Sequence, residues 1–404
     1  MNIAIITDDS LPKSTLVHAK MLHELAVELK ANGHSPVIIA PGTKPQKSSL
    51  DKVDFENIEY WKFKSGKLKG EGKVKRAIRE SLLSIRAWKA IKPSIQNFHF
   101  DLIIYYSPSI FFGALVNKLK RYCNARSYLI LRDIFPQWVI DEGLIKEGSL
   151  IERYFRYFER INYSAADKIG LMSPKNKEFF DFKTNNSLNT EVLFNWIDLK
   201  GNSPSASGLR EKLGLQDKVI YFYGGNIGRA QDMSNLLRLA KAMKPYSDAH
   251  FIFLGQGDEV ELVRVKINDW QLTNTSLLPS VTQEEYKAIL QEVDVGMFSL
   301  SATHKSHNFP GKLLGYMHAS LPILGSVNPG NDVIDIITGS GAGYIYENGQ
   351  DEKLLKAAID LYDGVLSREQ KGNNGNRLLA QYFSVETAVQ KILSVHEEAS
   401  NAVS

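Results

Sequence analysis

HKSHNFPGKLLGYMHASLPILGSVNP, residues 304–329, is the stretch from which the fold is best inferred. It begins as a polar loop, turns sharply at residues 308–311, continues as a predicted helix from Lys312, and ends in a short apolar strand. A loop that leads into a helix N-terminus gathers unpaired backbone amides and the positive end of the helix dipole. Lys312 adds a full positive charge in the first turn. The stretch therefore predicts an anion-binding site in an α/β protein.

Composition places the chain among ordinary globular proteins. Its 404 residues favour two domains over one core, and 43% of them are apolar while 23% are charged. The single cysteine, Cys123, excludes an internal disulfide and fits a reducing compartment. The N-terminus is apolar like a first strand and lacks the basic start of a signal peptide, and no run of about 18 apolar residues occurs. We therefore expect a cytoplasmic protein without a transmembrane helix.

Positive charge is concentrated in one segment. From Lys62 to Lys92 the chain has eleven Lys and Arg against two Glu, so this segment carries +9 although the whole chain carries only +4. Such local charge predicts one anionic partner surface and argues against nucleic-acid binding. A helix predicted over residues 74–91 places Val74, Ile78, Leu82 and Ile85 on one face with Trp88 at its edge. It fits either a core helix or an interfacial helix on anionic lipid, and the basic loop before it favours the membrane. We expect anionic inner-leaflet lipid to bind from Lys62 to Ile91.

Strands and helices alternate twice along the chain. An apolar strand at residues 2–7, a helix at 17–30 and a strand at 35–41 form a βαβ unit, and the alternation starts afresh after the Ser/Gly/Pro-rich residues 201–208. This pattern predicts two doubly wound, Rossmann-like domains that face each other across a cleft, at residues 1–200 and 201–380. A helix in residues 381–404 is expected to pack back on the N-terminal domain and brace the two. Aromatic residues of the helix at 150–165 are interpreted as core or as a surface on the acceptor side.

Several residues that carry chemistry follow predicted strands. Arg132 and Asp133 stand at the carboxyl end of an apolar strand, where parallel sheets place functional groups, although a local salt bridge would also explain them. The glycine loop at residues 224–228 has the wrong spacing for a dinucleotide fingerprint, and a Walker phosphate loop is missing from the sequence. The nine histidines are scattered without metal-ligand spacing, so no metal site is predicted.

The loops are more specific in combination than alone. The C-terminal half contains, in this order, GGN with Arg229 (224–229), LGQGD (254–258), TQEEY (282–286), FPGKLLGYM (309–317) and SLPIL (320–324). That order resembles glycosyltransferase family 4, whose members are retaining enzymes of the GT-B fold. The N-terminal half agrees, with a strand, a Pro-containing loop, a helix that carries His18, and GHSPV at 33–37. LRDIFPQW (131–138), GNIG (225–228) and NFPGKLLGYM (308–317) resemble the bacterial surface-polysaccharide transferases, including those that move fucosamine or fucose.

This resemblance, which covers nearly the whole chain, implies a site. The donor diphosphate would lie against the second domain, near the glycine loop and basic side chains, and neither a metal nor another cofactor would be needed. We predict as catalytic residues Asp133, Arg229 and Lys312. The predicted substrate-binding residues are Ser14, Thr15, Arg132, Gly225, Asn226, Gly228, Gln256, Glu285, His307, Asn308, Phe309, Pro310, Gly311 and Leu313. The acceptor would approach past Ser14, Thr15, residues 107–109, Arg132 and Asp133.

The chain also departs from the family pattern. Most members have two glutamates eight positions apart, and these positions are His307 and Gly315 here. The ribose contact would then come from Glu285 or from a backbone group. The usual arginine of the glycine loop is Asn226, so Lys312 gains importance for holding the diphosphate.

Three functions follow, in decreasing order of support. The first is a retaining, metal-independent glycosyltransferase that moves a sugar from a UDP-sugar to a lipid-linked oligosaccharide acceptor in O-antigen (lipopolysaccharide) or capsule biosynthesis. The sugar would be an N-acetylated amino or deoxy sugar such as N-acetylfucosamine, and the protein would be peripheral on the inner face of the cell membrane. The alternative is a GT-B-fold UDP-sugar epimerase that acts without an acceptor. A non-enzymatic binding module is the third.

Overall fold

The chain divides into two compact units. A computed structural model describes residues 1–401 except 15, 43–45, 66–78, 97, 108, 142, 201–205 and 304–308. The first unit comprises Met1–Ile197 together with Val385–Ser404, and the second comprises Asp198–Ser384. The chain thus leaves the first unit at Ile197, close to the predicted boundary between residues 200 and 201, and returns to it at Val385.

A mixed sheet forms the centre of the first unit. Its strands are β1 (Asn2–Ile6), β2 (Ser35–Pro41), β3 (Leu50–Phe55), β4 (Ile58–Phe63), β5 (Leu102–Ser107), β6 (Arg126–Leu131), β7 (Lys168–Leu171) and β8 (Thr190–Val192). Their order across the sheet is β3-β4-β2-β1-β5-β6-β7-β8. Neighbours are parallel except β3 and β4, which form an antiparallel hairpin. The inner strands are apolar on both faces because helices cover both sides.

Helices of the first unit bury their apolar faces on this sheet. They are α1 (Val17–Ala31), α2 (Leu83–Ile91), α3 (Gly113–Cys123), α4 (Gln137–Asp141), α5 (Leu150–Ser164) and α6 (Pro174–Lys183). In α1 the spacing of Leu22, Leu25, Ala26 and Leu29 puts all four on one side, and each is at most 1% exposed. The helix predicted over residues 17–30 is therefore confirmed.

The second unit contains a six-stranded parallel sheet. Its strands are β9 (Val219–Asn226), β10 (Ala249–Gln256), β11 (Thr275–Leu278), β12 (Val295–Ser299), β13 (Ile323–Val327) and β14 (Gly343–Glu347). The order is β11-β10-β9-β12-β13-β14, so the direction in which strands are added reverses between β9 and β12. Open α/β sheets of this kind bind ligands at the carboxyl ends of the strands on either side of such a switch point. The carboxyl end of β9 carries the glycine loop.

The remaining helices complete the two units. Those of the second unit are α7 (Leu209–Leu213), α8 (Met233–Ala242), α9 (Val260–Asp269), α10 (Gln283–Leu290), α11 (Lys312–His318), α12 (Val333–Gly339), α13 (Asp351–Asp363) and α14 (Val365–Tyr382). The last helix, α15 (Val385–Asn401), belongs to the first unit, where Val385, Val389 and Ile392 join the core that contains Leu22 and Leu25 of α1. The expected bracing of both domains by this helix stays a prediction.

The buried face of α2 is not the apolar face that the sequence pattern indicated. Leu82 and Ile85 of that face are 37% and 45% exposed, which argues against the core-helix alternative for that face, while Leu83, Ala87 and Ile91 are buried. The sequence offers two overlapping apolar stripes, and the stripe with the small Ala87 allows closer packing against the neighbouring helix α3. Val74 and Ile78, from the same prediction, lie outside the described residues.

Candidate functional site

The glycine loop at the carboxyl end of β9 is built by close backbone approach. Gly225 pairs with Gly255 of β10 in the sheet register, and their φ angles are +134° and +156°. A Cβ atom on Gly255 would lie 1.8 Å from the carbonyl oxygen of Gly225, so no other residue fits there. Because Gly225 also has no side chain, its backbone is open on the side that faces Lys312.

Lys312, the first residue of α11, reaches back to this loop. Its Nζ lies 3.6 Å from the centroid of the Tyr223 ring and would stand 3.5 Å from a Cβ placed on Gly225. The structure therefore brings together two residues that the sequence predicted for the diphosphate. Burial lowers the pKa of Lys312 to about 7, because the amine loses water. Within the part of the chain that the structure describes, Lys312 has no ion-pair partner.

Tyr316, one helical turn after Lys312, supports the glycine loop through hydrogen bonds of its hydroxyl. Its hydroxyl accepts a hydrogen bond from the Gly224 N–H at 3.2 Å and donates to the Met297 carbonyl at 3.0 Å, so it ties β9 to β12 at the switch point. The side chain is fully buried. Sequence reasoning missed this residue, although the four-residue spacing from Lys312 places both side chains on one face of α11.

Gly315, which stands where the family has its second glutamate, lies beside apolar side-chain atoms. A Cβ on Gly315 would lie 3.4 Å from Leu290 Cδ1 and 3.8 Å from a ring carbon of Tyr286. A carboxylate pointing in this direction would be desolvated without a partner, which is unfavourable. The glycine at 315 is therefore consistent with the side chains around it.

Arg229 is exposed on the turn that follows the glycine loop. It begins the 3-10 turn Arg229–Gln231, its side chain is 88% exposed, and its Nε lies 3.7 Å from Asp258 Oδ2. The predicted neighbour Asn226 donates through Nδ2 to Gln231 Oε1 at 2.8 Å. Gly228 separates these two groups, and a Cβ there would lie 2.7 Å from both Asn226 Nδ2 and Asp258 Oδ1. Asp258, which approaches Arg229, was not among the predicted site residues.

Two further predicted residues lie beside this loop or near it. Gln256 pairs with Asn226 in the sheet register, and its exposed side chain accepts from Ser280 Oγ at 3.4 Å. Glu285 lies in the first turn of α10, where its N–H donates to the capping Thr282 Oγ1 at 3.2 Å and its side chain is exposed. The next residue, Tyr286, packs against Gly224, where a Cβ would be 2.4 Å from the Tyr286 ring.

The FPGKL segment contributes packing residues as well as Lys312. Phe309 is 4% exposed and stacks near Phe383, with ring centroids 4.7 Å apart. Leu313 is fully buried, and its N–H donates to the Pro310 carbonyl at 3.0 Å. We correct the assignment of Phe309 and Leu313 to substrate binding, because the core takes both side chains and the turn takes the Leu313 amide. Gly311, just before α11, is exposed.

Three predicted positions in loops remain outside the described residues: Thr15, His307 and Asn308. Ser14, beside the first of them, accepts a hydrogen bond from the Leu16 N–H at 3.1 Å through its hydroxyl. Its binding role stays a prediction.

Arg132 and Asp133 lie at the carboxyl end of β6 in the first unit. Arg132 is 7% exposed and donates to the carbonyl oxygens of Leu193 at 2.6 Å and Phe194 at 3.1 Å. Its guanidinium therefore holds the chain that follows β8, and its predicted role in substrate binding stays a prediction. Burial lowers the pKa of Arg132 to about 10 and raises the pKa of the half-buried Asp133, against the opposing effect of the Arg132 charge. Asp133 lies shortly after β6, where the sequence placed it, and its catalytic role stays a prediction.

A pair that the prediction did not include lies at the switch point of the first sheet. His18 Nε2 is 3.5 Å from Asp8 Oδ1, and the His18 ring stacks on Tyr106 with centroids 5.0 Å apart. Asp8 lies shortly after β1 and Tyr106 is the last but one residue of β5, and the order of this sheet reverses between these two strands. The sequence signal that could have indicated this pair was a carboxylate shortly after the first strand, where parallel sheets place functional groups.

Cations of the predicted lipid-binding segment are partly engaged within the protein. Lys62 donates to Ser10 and to the Leu11 carbonyl, and burial lowers its pKa to about 8. Arg86 donates to the Ser65 carbonyl. Of the described helices, none is long and apolar enough to cross a membrane. The described residues also contain no cluster of three or more His, Cys, Asp or Glu able to hold a metal.

Comparison with known proteins agrees with this geometry. The family model described as "Glycosyl transferases group 1" matches residues 207–378, which lie in the second unit. Among curated proteins, the probable glycosyltransferase WbjE of Pseudomonas aeruginosa is 24% identical over 219 residues, which are 54% of this chain and 54% of that protein. The match thus spans about half the length of this relative.

Solved structures match over the whole chain. Sucrose-phosphate synthase from Thermosynechococcus elongatus has a TM-score of 0.71 at 14% identity and covers 99% of both chains. Alr3699/HepE from Anabaena, in complex with UDP, has a TM-score of 0.66 at 13% identity and covers 98% of this chain and 100% of that one. At such identities the likeness shows the fold, and the predicted α/β GT-B fold with two Rossmann-like domains is confirmed. The chain therefore has the GT-B fold, and its residues 207–378 match the glycosyl transferases group 1 model, which supports its classification as a transferase.

Proposed function

We propose that the chain is a retaining glycosyltransferase that transfers a sugar from a UDP-sugar to a lipid-linked saccharide. The group 1 domain and the UDP complex of the Anabaena neighbour support the reaction class and the donor. The observation that carries the proposal is the position of the Lys312 amine, against the open backbone of Gly225 at the switch point of the second sheet. This is where a parallel α/β sheet receives a phosphorylated ligand.

Lys312 would act on the leaving group. The bond between the anomeric carbon and the diphosphate oxygen breaks, the bond from that carbon to the acceptor oxygen forms, and negative charge grows on UDP. A protonated amine held against the diphosphate stabilises this charge more in the transition state than in the ground state. Arg229, exposed on the adjacent turn, has the freedom to reach the same anion. We propose that these two cations make a metal unnecessary.

The sugar and the acceptor follow from the sequence resemblance. We assign the donor sugar to the N-acetylated amino or deoxy sugars, such as N-acetylfucosamine, and the acceptor to a lipid-linked oligosaccharide of O-antigen or capsule biosynthesis. The relationship to WbjE, a probable glycosyltransferase, supports the reaction class of this proposal. The catalytic role of Asp133 belongs to the same proposal, supported by its position at the end of β6. The epimerase alternative is not favoured, because the family model and the curated relative are both glycosyltransferases.

A lipid-linked acceptor places the enzyme at the inner face of the membrane. We propose that the segment from Lys62 to Ile91 contributes to this contact. In its described part, Leu82, Ile85 and Lys89 share one face of the helical stretch, and the two apolar residues are exposed. Lys62 itself is excluded from this role because its amine is turned inward.

The test separates transfer from its alternative. Purified protein is incubated with UDP-N-acetylhexosamines and UDP-N-acetylfucosamine, with and without a lipid-linked saccharide fraction, and UDP release and sugar stereochemistry are followed by NMR. Transfer predicts UDP release that depends on the acceptor and an unchanged anomeric configuration. Conversion of the UDP-sugar into its epimer without acceptor would establish the alternative, and inversion at the anomeric carbon would refute the retaining assignment.

A further inference from the structure

Helix α5 presents large apolar side chains on its outward face, while its inward face mixes aromatic rings with polar groups. Its buried residues are Glu159, Asn162 and Tyr163. The outward face carries Leu150, Ile151, Tyr154 and Tyr157, which are 81%, 59%, 37% and 54% exposed. Leu150, Tyr154 and Tyr157 follow the i, i+4, i+7 spacing of a single helical face. A face of large apolar side chains in solvent is unfavourable unless something covers it.

Exposed apolar residues also occur in the chain before and after α5. Leu144, in the segment before it, is 64% exposed, and Phe179 and Phe182 of α6 are 47% and 83% exposed. The two helices are packed together through the rings of Tyr163 and Phe180, whose centroids are 5.1 Å apart. We define the α5–α6 surface by its seven members: Leu144, Leu150, Ile151, Tyr154, Tyr157, Phe179 and Phe182.

Ion pairing beneath the outward face keeps that face free of acidic groups. Arg156 pairs with Glu152 at 3.3 Å and with Glu159 at 2.9 Å, so the two carboxylates of α5 are neutralised toward the interior. Arg153 and Arg160, seven residues apart, flank the apolar face and are exposed. Within the part of the chain that the structure describes, neither has an ion-pair partner.

Charge decides among the possible occupants. An isologous contact between two copies of this surface would bring the same arginines together, which is repulsive. An anionic bilayer complements both features, because leucine and aromatic side chains enter the acyl boundary while arginines stay among the phosphates. Flanking cations around an aromatic and aliphatic face are the composition of an interfacial helix.

We propose that the α5–α6 surface docks the protein on anionic lipid, as a contact site separate from the segment that runs from Lys62 to Ile91. This proposal rests on the proposed function in one respect: a lipid-linked acceptor gives the protein a reason to bind lipid. Its physical basis is the outward face of α5 and the two arginines beside it.

The experiment is flotation with two kinds of vesicle, phosphatidylcholine alone and phosphatidylcholine mixed with phosphatidylglycerol. Wild-type protein is expected to bind the mixed vesicles and not the neutral ones. The variant L150S/I151S/Y157S removes three exposed apolar side chains and should bind at least about a hundredfold more weakly. The variant R153Q/R160Q should bind about thirtyfold more weakly, since each cation near an anionic surface contributes about 1 kcal/mol, or about fivefold.

Matched controls come from the second unit. V365S/L366S removes apolar residues that are 56% and 79% exposed, and K353Q/K356Q removes two exposed cations of α13. Both controls should bind vesicles like wild type, and UDP affinity should be unchanged in all four variants. Unaltered vesicle binding by L150S/I151S/Y157S overturns the proposal, and so does a wild-type dimer that this variant converts to monomers. Loss of UDP binding by the wild-type protein would bear on the proposed function alone.

Discussion

Binding of UDP is expected to take up a proton at Lys312, which makes the affinity depend on pH. In the empty site burial lowers the pKa of Lys312 to about 7. A diphosphate held against the amine restores the charged form, so the pKa in the complex should rise to at least the ordinary value for lysine, about 10.5. The complex then binds more protons than the free protein throughout the range between these two values.

The magnitude follows from this difference. Lys312 is about half charged at pH 7, about one tenth charged at pH 8 and about one hundredth charged at pH 9 in the free protein. Each UDP should therefore take up about half a proton at pH 7 and about 0.9 at pH 8. Between about pH 7.5 and 9 the dissociation constant should rise about tenfold per pH unit. In this range the phosphates of UDP are almost fully ionised and the uracil N3–H still largely keeps its proton, which leaves Lys312 as the source.

Isothermal titration calorimetry in buffers of different ionisation enthalpy measures this uptake directly. The variant K312M should bind UDP more weakly at pH 7.5, without proton uptake and with little change between about pH 7.5 and 9. A wild-type protein that takes up no proton at pH 8 would refute the reasoning. So would a K312M variant that keeps the full pH dependence of wild type.

Three further predictions concern the same region. K312M should be more stable than wild type at pH 7 by about 3–5 kcal/mol in urea unfolding, because it removes an amine whose pKa burial lowers from 10.5 to about 7. The unfolded state binds more protons between pH 7 and 10.5, so wild type gains stability as the pH rises and the difference should vanish near pH 10.5. In thermal unfolding, G255A should lose about 3–5 kcal/mol of unfolding free energy, because its Cβ would meet the Gly225 carbonyl at 1.8 Å. The control G339A, with open space around its Cβ, should lose no stability. Equal stability of the two variants would contradict the close approach. Y316F should lose about 1–3 kcal/mol of unfolding free energy and bind UDP more weakly, because the Gly224 N–H and the Met297 carbonyl lose a buried partner. The control Y344F breaks an exposed contact to Asp360 and should change neither stability nor UDP affinity. A Y316F variant with unchanged stability and UDP affinity would show that Tyr316 does not support the site.

Local patterns in the sequence predicted the second unit and the main contact of its site. The glycine loop after β9 and the lysine of the FPGKL segment were both recognised from residue type and position, and the structure places Lys312 against Gly225. Strand ends are predictable in this way because parallel sheets collect loops at one edge. Tyr316 was missed because its role depends on β9 and β12 meeting at the switch point, a long-range relation.

Elsewhere, long-range packing adds contacts that a local pattern does not indicate. Arg132 stands at a strand end like a ligand-binding residue, yet the carbonyls of Leu193 and Phe194, about 60 positions later in the chain, take its guanidinium. Helix α5 shows how neighbouring elements decide between core and surface. Its aromatic residues were interpreted as core or as a surface, and the structure divides them, since Phe155 packs 4.9 Å from Phe135 while Tyr157 is exposed. Hydrophobic periodicity gives the width of an apolar stripe, whereas the neighbours decide which side is covered.

The central claim is that Lys312 and the glycine loop hold the donor diphosphate. Titrating UDP and uridine into wild type and K312M at pH 7 tests it most directly, because the two ligands differ only in the diphosphate. The substitution should weaken UDP binding about ten- to a hundredfold and leave uridine binding unchanged, as expected for one charge-assisted contact. Unchanged UDP affinity, or an equal loss for UDP and uridine, would contradict the claim.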